Sequence, residues 1–222
     1  MEDHQNKFRY ERKYLLDKSK LNFFMKKLYL NNFEEVYTQR IINNIYYDTL
    51  NFSSFIETKE GVSDRIKYRV RWYGKVHEES EKVLELKIKS EFLNTKRTYP
   101  LGIFKFVSPI NKDLKSLNKK IIETLFKENS DFFNYNYNLH PVLRNNYIRK
   151  YFFSQNLGVR ITIDSGLNFN SFLNGNSILD DKKSIIEIKY QKENFFIMGN
   201  LFDLELKKKS KFETGIKLTQ KI

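Results

Sequence analysis

One stretch constrains this chain more than any other: RIKYRVRWYG, from Arg65 to Gly74. Every second residue is a cation (Arg65, Lys67, Arg69, Arg71), and those between are Ile66, Tyr68, Val70 and Trp72. Strand side chains alternate between two faces, so this is a strand with one charged face and one bulky apolar face. Taken alone it describes an antiparallel sheet with one wet face, on which Lys and Arg need no partner.

The pattern recurs along the chain. FRYERKYLL puts Arg9, Glu11 and Lys13 on one face, with Tyr10 and Tyr14 on the other. VLELKIK sets Glu85, Lys87 and Lys89 against Leu84, Leu86 and Ile88. VRITIDS sets Arg160, Thr162 and Asp164 against Val159, Ile161 and Ile163, and IIEIKY sets Glu187 and Lys189 against Ile186, Ile188 and Tyr190. RNNYIRKYFF carries Arg144 and Arg149 around Tyr147, while RIINNIYYDTL and KRTYPL complete the strand candidates. Two segments have helical spacing instead. SKLNFFMKKLYLNN carries Leu21, Phe24, Met25 and Leu28 on one stripe, with Ser19 as N-cap. NKDLKSLNKKIIETLFKEN carries Leu114, Leu117, Ile121, Ile122, Leu125 and Phe126. A third helix is expected over residues 195–206. With 8 Gly, 3 Pro and no linker-like segment, the expectation is a single α+β domain over residues 1–222.

Composition narrows the chemistry. The chain carries 40 Lys+Arg against 27 Asp+Glu, a formal net charge of +13, which attracts polyanions. There is no cysteine, which excludes thiol catalysis and Cys-based zinc sites, and the three histidines are scattered. The N-terminal residues lack the apolar core of a secretion signal, and no run approaches the roughly 18 apolar residues of a membrane span. A soluble, cytoplasmic protein is expected.

Two arrangements satisfy the alternating faces. An open sheet buries its apolar face under helices and leaves the charged face wet; a closed barrel turns the charges into its lumen, which is costly unless an anion fills it. The carboxylates among the cations bear on the choice of chemistry. A surface that only grips phosphates gains nothing from Glu11, Glu85 and Glu187. Phosphoryl transfer uses both signs, cations for phosphate oxygens and carboxylates for a divalent metal. Each Glu taken singly is also an ordinary cross-strand ion-pair partner.

In chain order, ERKYLL, RVRWYG, LELKIK, PVLRNNYIRKYF, VRITID, IIEIKY and KKSKFETGI resemble the VTC domain, the vacuolar transporter chaperone type of polyphosphate polymerase. That family is a branch of the CYTH, or triphosphate tunnel metalloenzyme, superfamily. The resemblance implies a closed antiparallel barrel of about eight strands with helices outside. It implies metal-dependent transfer of the terminal phosphate of ATP to a polyphosphate chain, with Mn²⁺ or Mg²⁺ as cofactor.

By motif, the resemblance implies phosphate-handling roles for Lys13, Arg69, Arg71, Lys87, Arg144, Arg160, Lys208 and Lys211. Glu187 is implied as the metal ligand, with Glu85 and Glu11 beside it. Lys67, Lys89, Lys96, Arg149, Lys189, Tyr147 and Ser210 are lining or supporting groups. Arg9 replaces the first Glu of the superfamily's ExExK signature, a departure that suits the polymerase branch better than simple triphosphatases. Hydrolysis of inorganic or nucleoside triphosphate remains the alternative activity, and a non-catalytic polyphosphate- or nucleic-acid-binding domain the alternative class. Nucleic acid is not the expected partner, because most of the 20 Phe and 14 Tyr alternate onto the apolar faces.

Overall fold

A computed structural model describes residues 10–90, 93–107, 110, 113–127, 138–191 and 210–222. The strands are β1 (Tyr10–Asp17), β2 (Glu34–Asp48), β3 (Arg65–Tyr73), β4 (Ser80–Ser90), β5 (Leu93–Phe104), β6 (His140–Ser154), β7 (Val159–Ser171), β8 (Ser177–Asp180) and β9 (Lys183–Tyr190); each except β8 overlaps a segment expected as a strand. Four helices are described: α1 (Leu21–Leu30), α2 (Ser53–Glu60), α3 (Leu114–Lys127) and α4 (Lys211–Gln220). The sheet order is β1-β9-β7-β6-β2-β3-β4-β5, with β8 on β7, and the α+β class is as expected.

The expected closed barrel of about eight strands needs correction. Among the described residues nine strands form, and the hydrogen-bonded path ends at β1 and at β5 without joining them. Pro100 in β5 has no N–H to donate, which suits an edge strand rather than a central one. A second correction concerns Ser19. It lies inside a 3₁₀ turn, Lys18–Lys20, so α1 begins after Lys20 with no side-chain cap. The helix expected over residues 195–206 lies outside the described residues.

The chain divides into two compact units. The first comprises Met1–Arg40, Tyr147–Leu167 and Leu179–Lys209. There, β1 pairs with β9 and β9 with β7, both antiparallel. One face of this sheet buries Tyr14, Leu16, Ile161, Ile163, Ile186, Ile188 and Tyr190 against Phe24 and Leu28 of α1. Alternation then leaves Glu11, Lys13, Arg160, Thr162, Glu187 and Lys189 together on the other face.

The second unit comprises Ile41–Asn146, Asn168–Ile178 and Ser210–Ile222. Tyr68, Val70 and Trp72 of β3 and Leu84 and Leu86 of β4 are buried against Leu114, Leu117, Ile121 and Leu125 of α3. The apolar half of the 65–74 stretch is therefore core, covered by a helix. Ile122 and Phe126, also assigned to the apolar stripe of α3, are exposed instead. The opposite face of β3 and β4 presents Lys67, Arg69, Arg71, Glu85 and Lys87, and α4 covers part of this side. Phe212 of α4 stacks on Tyr46, the cross-strand partner of Arg69, with ring centroids 5.0 Å apart.

Candidate active site

In the first unit, register brings charges of both signs together. Lys13 lies opposite Glu187, Glu11 opposite Lys189, and Lys189 opposite Arg160. The Lys13 ammonium is 2.5 Å from Glu11 Oε1 and 3.9 Å from Glu187 Oε2. That of Lys189 is 3.0 Å from Glu187 Oε1 and 3.5 Å from Glu11 Oε2. Two ammoniums thus bridge two carboxylates. Burial and the Glu187 charge push the Glu11 carboxyl up, but Lys13 and Lys189 outweigh them and hold it below the ordinary carboxylate range.

Arg149 is fixed alongside. Its Nε and Nη2 donate to the two carboxylate oxygens of Asp164 at 2.6 and 2.7 Å, a bidentate pair that sets the guanidinium plane. The guanidinium also lies over the Tyr147 ring, 5.4 Å from its centroid. A cavity of about 120 Å³ is lined by Arg149, Tyr151, Arg160, Thr162, Glu187 and Lys189. Drug-sized ligands occupy pockets of roughly 300 Å³ or more, so this one suits a phosphoryl group and not a whole nucleotide. Thr162 is only 7% exposed, and its Oγ1 is buried with no hydrogen-bond partner. A buried hydroxyl left unsatisfied beside a cationic cavity is what a bound oxyanion would complete.

Among the described residues no three His, Cys, Asp or Glu side chains converge. Glu11 and Glu187 nevertheless fit a divalent cation of the Mg²⁺ or Mn²⁺ kind. Such ions take one or two carboxylates and complete their shell with water and substrate phosphate oxygens. Bound there, the ion would neutralise charge on the phosphate oxygens.

The second unit holds a different constellation, with one carboxylate under three cations. Arg69 Nε donates to Glu85 Oε2 at 2.5 Å, Arg71 Nη1 is 3.7 Å from the same oxygen, and Lys96 Nζ is 3.6 Å from Oε1. Burial opposes the Glu85 charge, yet Arg69, Arg71 and Lys96 prevail and hold its carboxyl down at about 2. Glu85 is thus the shared counter-ion of Arg69, Arg71 and Lys96. Arg71 Nε donates to Asn44 Oδ1 at 2.9 Å, and Asn44 donates in turn to Asn145 Oδ1 at 2.8 Å.

Register adds what no single strand shows. Lys67 faces Lys87, and Lys87 faces Lys96, three lysines abreast across β3, β4 and β5. Arg65 faces Lys89 one pair further along. Like charges directly opposite each other destabilise a sheet, so this row gains from a polyanion laid across it. Lys67 Nζ is 3.4 Å from Ser210 Oγ, and that hydroxyl also caps α4 through the Glu213 N–H. Lys211 is the first residue of α4 and partly buried.

The expected residues therefore divide between two groups. The first unit brings together Glu11, Lys13, Tyr147, Arg149, Arg160, Glu187 and Lys189. The second brings together Lys67, Arg69, Arg71, Glu85, Lys87, Lys96 and Ser210. Lys89 lies at the Arg65 end of the second. Arg144 joins neither. It donates twice to Asn170 Oδ1, at 3.0 and 3.3 Å, and burial alone lowers the pKa of its guanidinium. It precedes Asn145, which bonds toward the Arg71 side, so strand alternation turns Arg144 away from that face. Arg149, an odd five residues on, holds the cavity position instead. Lys208 and Arg9 lie outside the described residues. Thr162, Tyr151 and Asp164 were not singled out as site residues; the alternation in VRITIDS was the available signal for Thr162 and Asp164.

A phosphoryl-sized cavity lined by three cations and one carboxylate, on an antiparallel sheet backed by helices, defines the class: an α+β protein with a cationic cavity on its sheet. The sequence profile of the VTC domain matches residues 8–220, and the chain belongs to that family. No curated protein matches it. Two solved structures share the fold. One is a candidate adenylate cyclase from Vibrio parahaemolyticus, 14% identical, with a TM-score of 0.50 over 93% of this chain and 96% of that one. The other is a candidate adenylyl cyclase from Hippeastrum whose reported dominant activity is triphosphatase. It is 15% identical, with a TM-score of 0.55 over 96% of this chain and 97% of that one. Among the described residues no helix is long and apolar enough to cross a membrane.

Proposed function

We propose that residues 1–222 act as one phosphotransferase domain that moves the terminal phosphate of ATP onto the end of a polyphosphate chain. The bond from the terminal phosphorus to the ADP oxygen breaks, a bond to a terminal oxygen of the acceptor forms, and ADP leaves. The observation that carries this reading is the cavity of the first unit, where Arg149, Arg160 and Lys189 meet Glu187 and the unsatisfied Thr162 hydroxyl. Family membership supports it. In this reading Arg149, held rigid by Asp164, and Arg160 stabilise charge on the transferring group through preorganised electrostatics. Glu187 and Glu11 hold the divalent cation when it is bound. Lys13 and Lys189, which pair with those carboxylates, would bind phosphate oxygens beside them. Arg69, Arg71 and the row of Lys67, Lys87 and Lys96 bind chain or nucleotide phosphates in the second unit. Lys208 and Lys211 orient the acceptor.

A second reading is triphosphate hydrolysis, with water as acceptor. The Hippeastrum protein of the same fold favours it, while Arg9 in place of an acidic first-strand residue weighs against it. Incubation of the protein with ATP and Mn²⁺ or Mg²⁺, followed by gel separation of the products, distinguishes the readings. Long phosphate chains are expected. Free phosphate alone would make the protein a triphosphatase, and no turnover would make it a binding domain.

A further inference from the structure

Tyr151 lines the cavity of the first unit, and its ring leads out of it. The ring of Tyr37, on β2, meets Tyr151 edge to face, with centroids 5.5 Å apart and planes at 84°. The Arg40 guanidinium lies over both rings, 5.0 Å from the centroid of Tyr37 and 5.8 Å from that of Tyr151. Tyr37 is 54% exposed and Arg40 is exposed as well, in the stretch of β2 from Glu34 to Arg40 where every residue faces solvent. The exposed ring of Tyr37 and the exposed guanidinium of Arg40 thus meet the half-buried ring of Tyr151, which lines a cavity sized for one phosphoryl group.

We propose that Tyr37, Arg40 and Tyr151 form the base-binding platform for a nucleoside triphosphate whose phosphate enters that cavity. This rests on the reading of the cavity as a phosphate site. A phosphate-sized cavity leaves the rest of a nucleotide outside, and Tyr151 is shared by the cavity and the platform. A nucleobase stacks on Tyr rings and on the outer face of a guanidinium whose inner face is already on an aromatic ring. Inorganic triphosphate has no group to place there. The platform therefore selects nucleotide over inorganic donors without requiring recognition of any one base.

The test is calorimetric binding of ATP and of inorganic triphosphate, each with Mg²⁺, to the whole chain and to Tyr37→Ala, Arg40→Ala and Arg40→Lys. Both positions are exposed, and matching thermal unfolding curves would verify that the variants fold. The expected result is a loss of about tenfold or more in ATP affinity for Y37A and R40A. Inorganic triphosphate should stay within about twofold for Y37A. R40K keeps the charge and loses the plane, so it should weaken ATP and leave triphosphate unchanged. ATP affinity that is unchanged, or that falls in step with triphosphate in Y37A and R40K, would overturn the platform while leaving the phosphate site standing. A wild-type protein that binds neither ligand would overturn both.

Discussion

Glu187 and Glu85 look alike in sequence, each an acid among cations on a β-face, but their surroundings give them different work. Glu187 borders the cavity, paired with Lys13 and Lys189 and with Thr162 across the ladder. Replacing it with Gln should lower metal-dependent turnover by at least about a hundredfold, on the scale of losing a main electrostatic group. Polyphosphate affinity should stay within about threefold, because the cations remain; wild-type-like turnover in E187Q would refute the metal assignment. Glu85 instead holds Arg69 and Arg71 in place. Its carboxyl titrates at about 2 when folded against an ordinary 4.5, so between those values the unfolded chain binds the extra proton. The contribution is therefore complete above about pH 4.5 and is lost as the pH falls toward 2, amounting to about 3 kcal/mol. Unfolding measured across that window should show this slope in the wild type and a flatter one in Glu85→Gln.

At the scale of elements, the strands were legible because period-two alternation is a local property that each strand carries in its own sequence. The 65–74 stretch placed Tyr68, Val70 and Trp72 on the apolar face, and they are buried in the core under α3. Cross-strand register is not local, so the row of Lys67, Lys87 and Lys96 was invisible from any one segment. The same limit left Arg144 and Arg149 undistinguished, since both arginines flank Tyr147 and only partners across the sheet separate them. Lys82 broke the pattern altogether. It is buried beside Trp72 and Phe106, where a register shift occurs between Lys82 and Val83, and its ammonium is satisfied by Ser80 and the Phe104 carbonyl. Helix α4 was missed because only Phe212 and Ile216 mark its buried apolar face and Gly215 stands within it. A Cβ on Gly215 would stand 2.5 Å from Leu143 Cδ2 and 2.6 Å from Phe169 Cδ1. Gly215→Ala gains about 1 kcal/mol of helix propensity but must push both side chains aside, a cost of about 1–3 kcal/mol. Net destabilisation in chemical unfolding is the expected outcome, and a stabilised variant would show that α4 is not held this closely.

For the whole molecule, the excess of cations favours a polyanionic partner, and in the proposed reaction the carboxylates among them hold the divalent cation. With a net charge of +13, polyphosphate affinity should fall steeply as salt rises from about 0.05 to 0.5 M, since the Debye length shrinks over that range. A salt-independent affinity would mean that the charged faces are not where the chain docks. In the proposed reaction phosphate leaves ATP and reappears in a chain. Phosphorus-31 NMR of ATP and Mg²⁺ turned over by the protein measures this directly. The prediction is growth of mid-chain polyphosphate resonances in step with ADP, absent for Glu187→Gln; free phosphate growing in step with ADP, with no mid-chain signal, would contradict it.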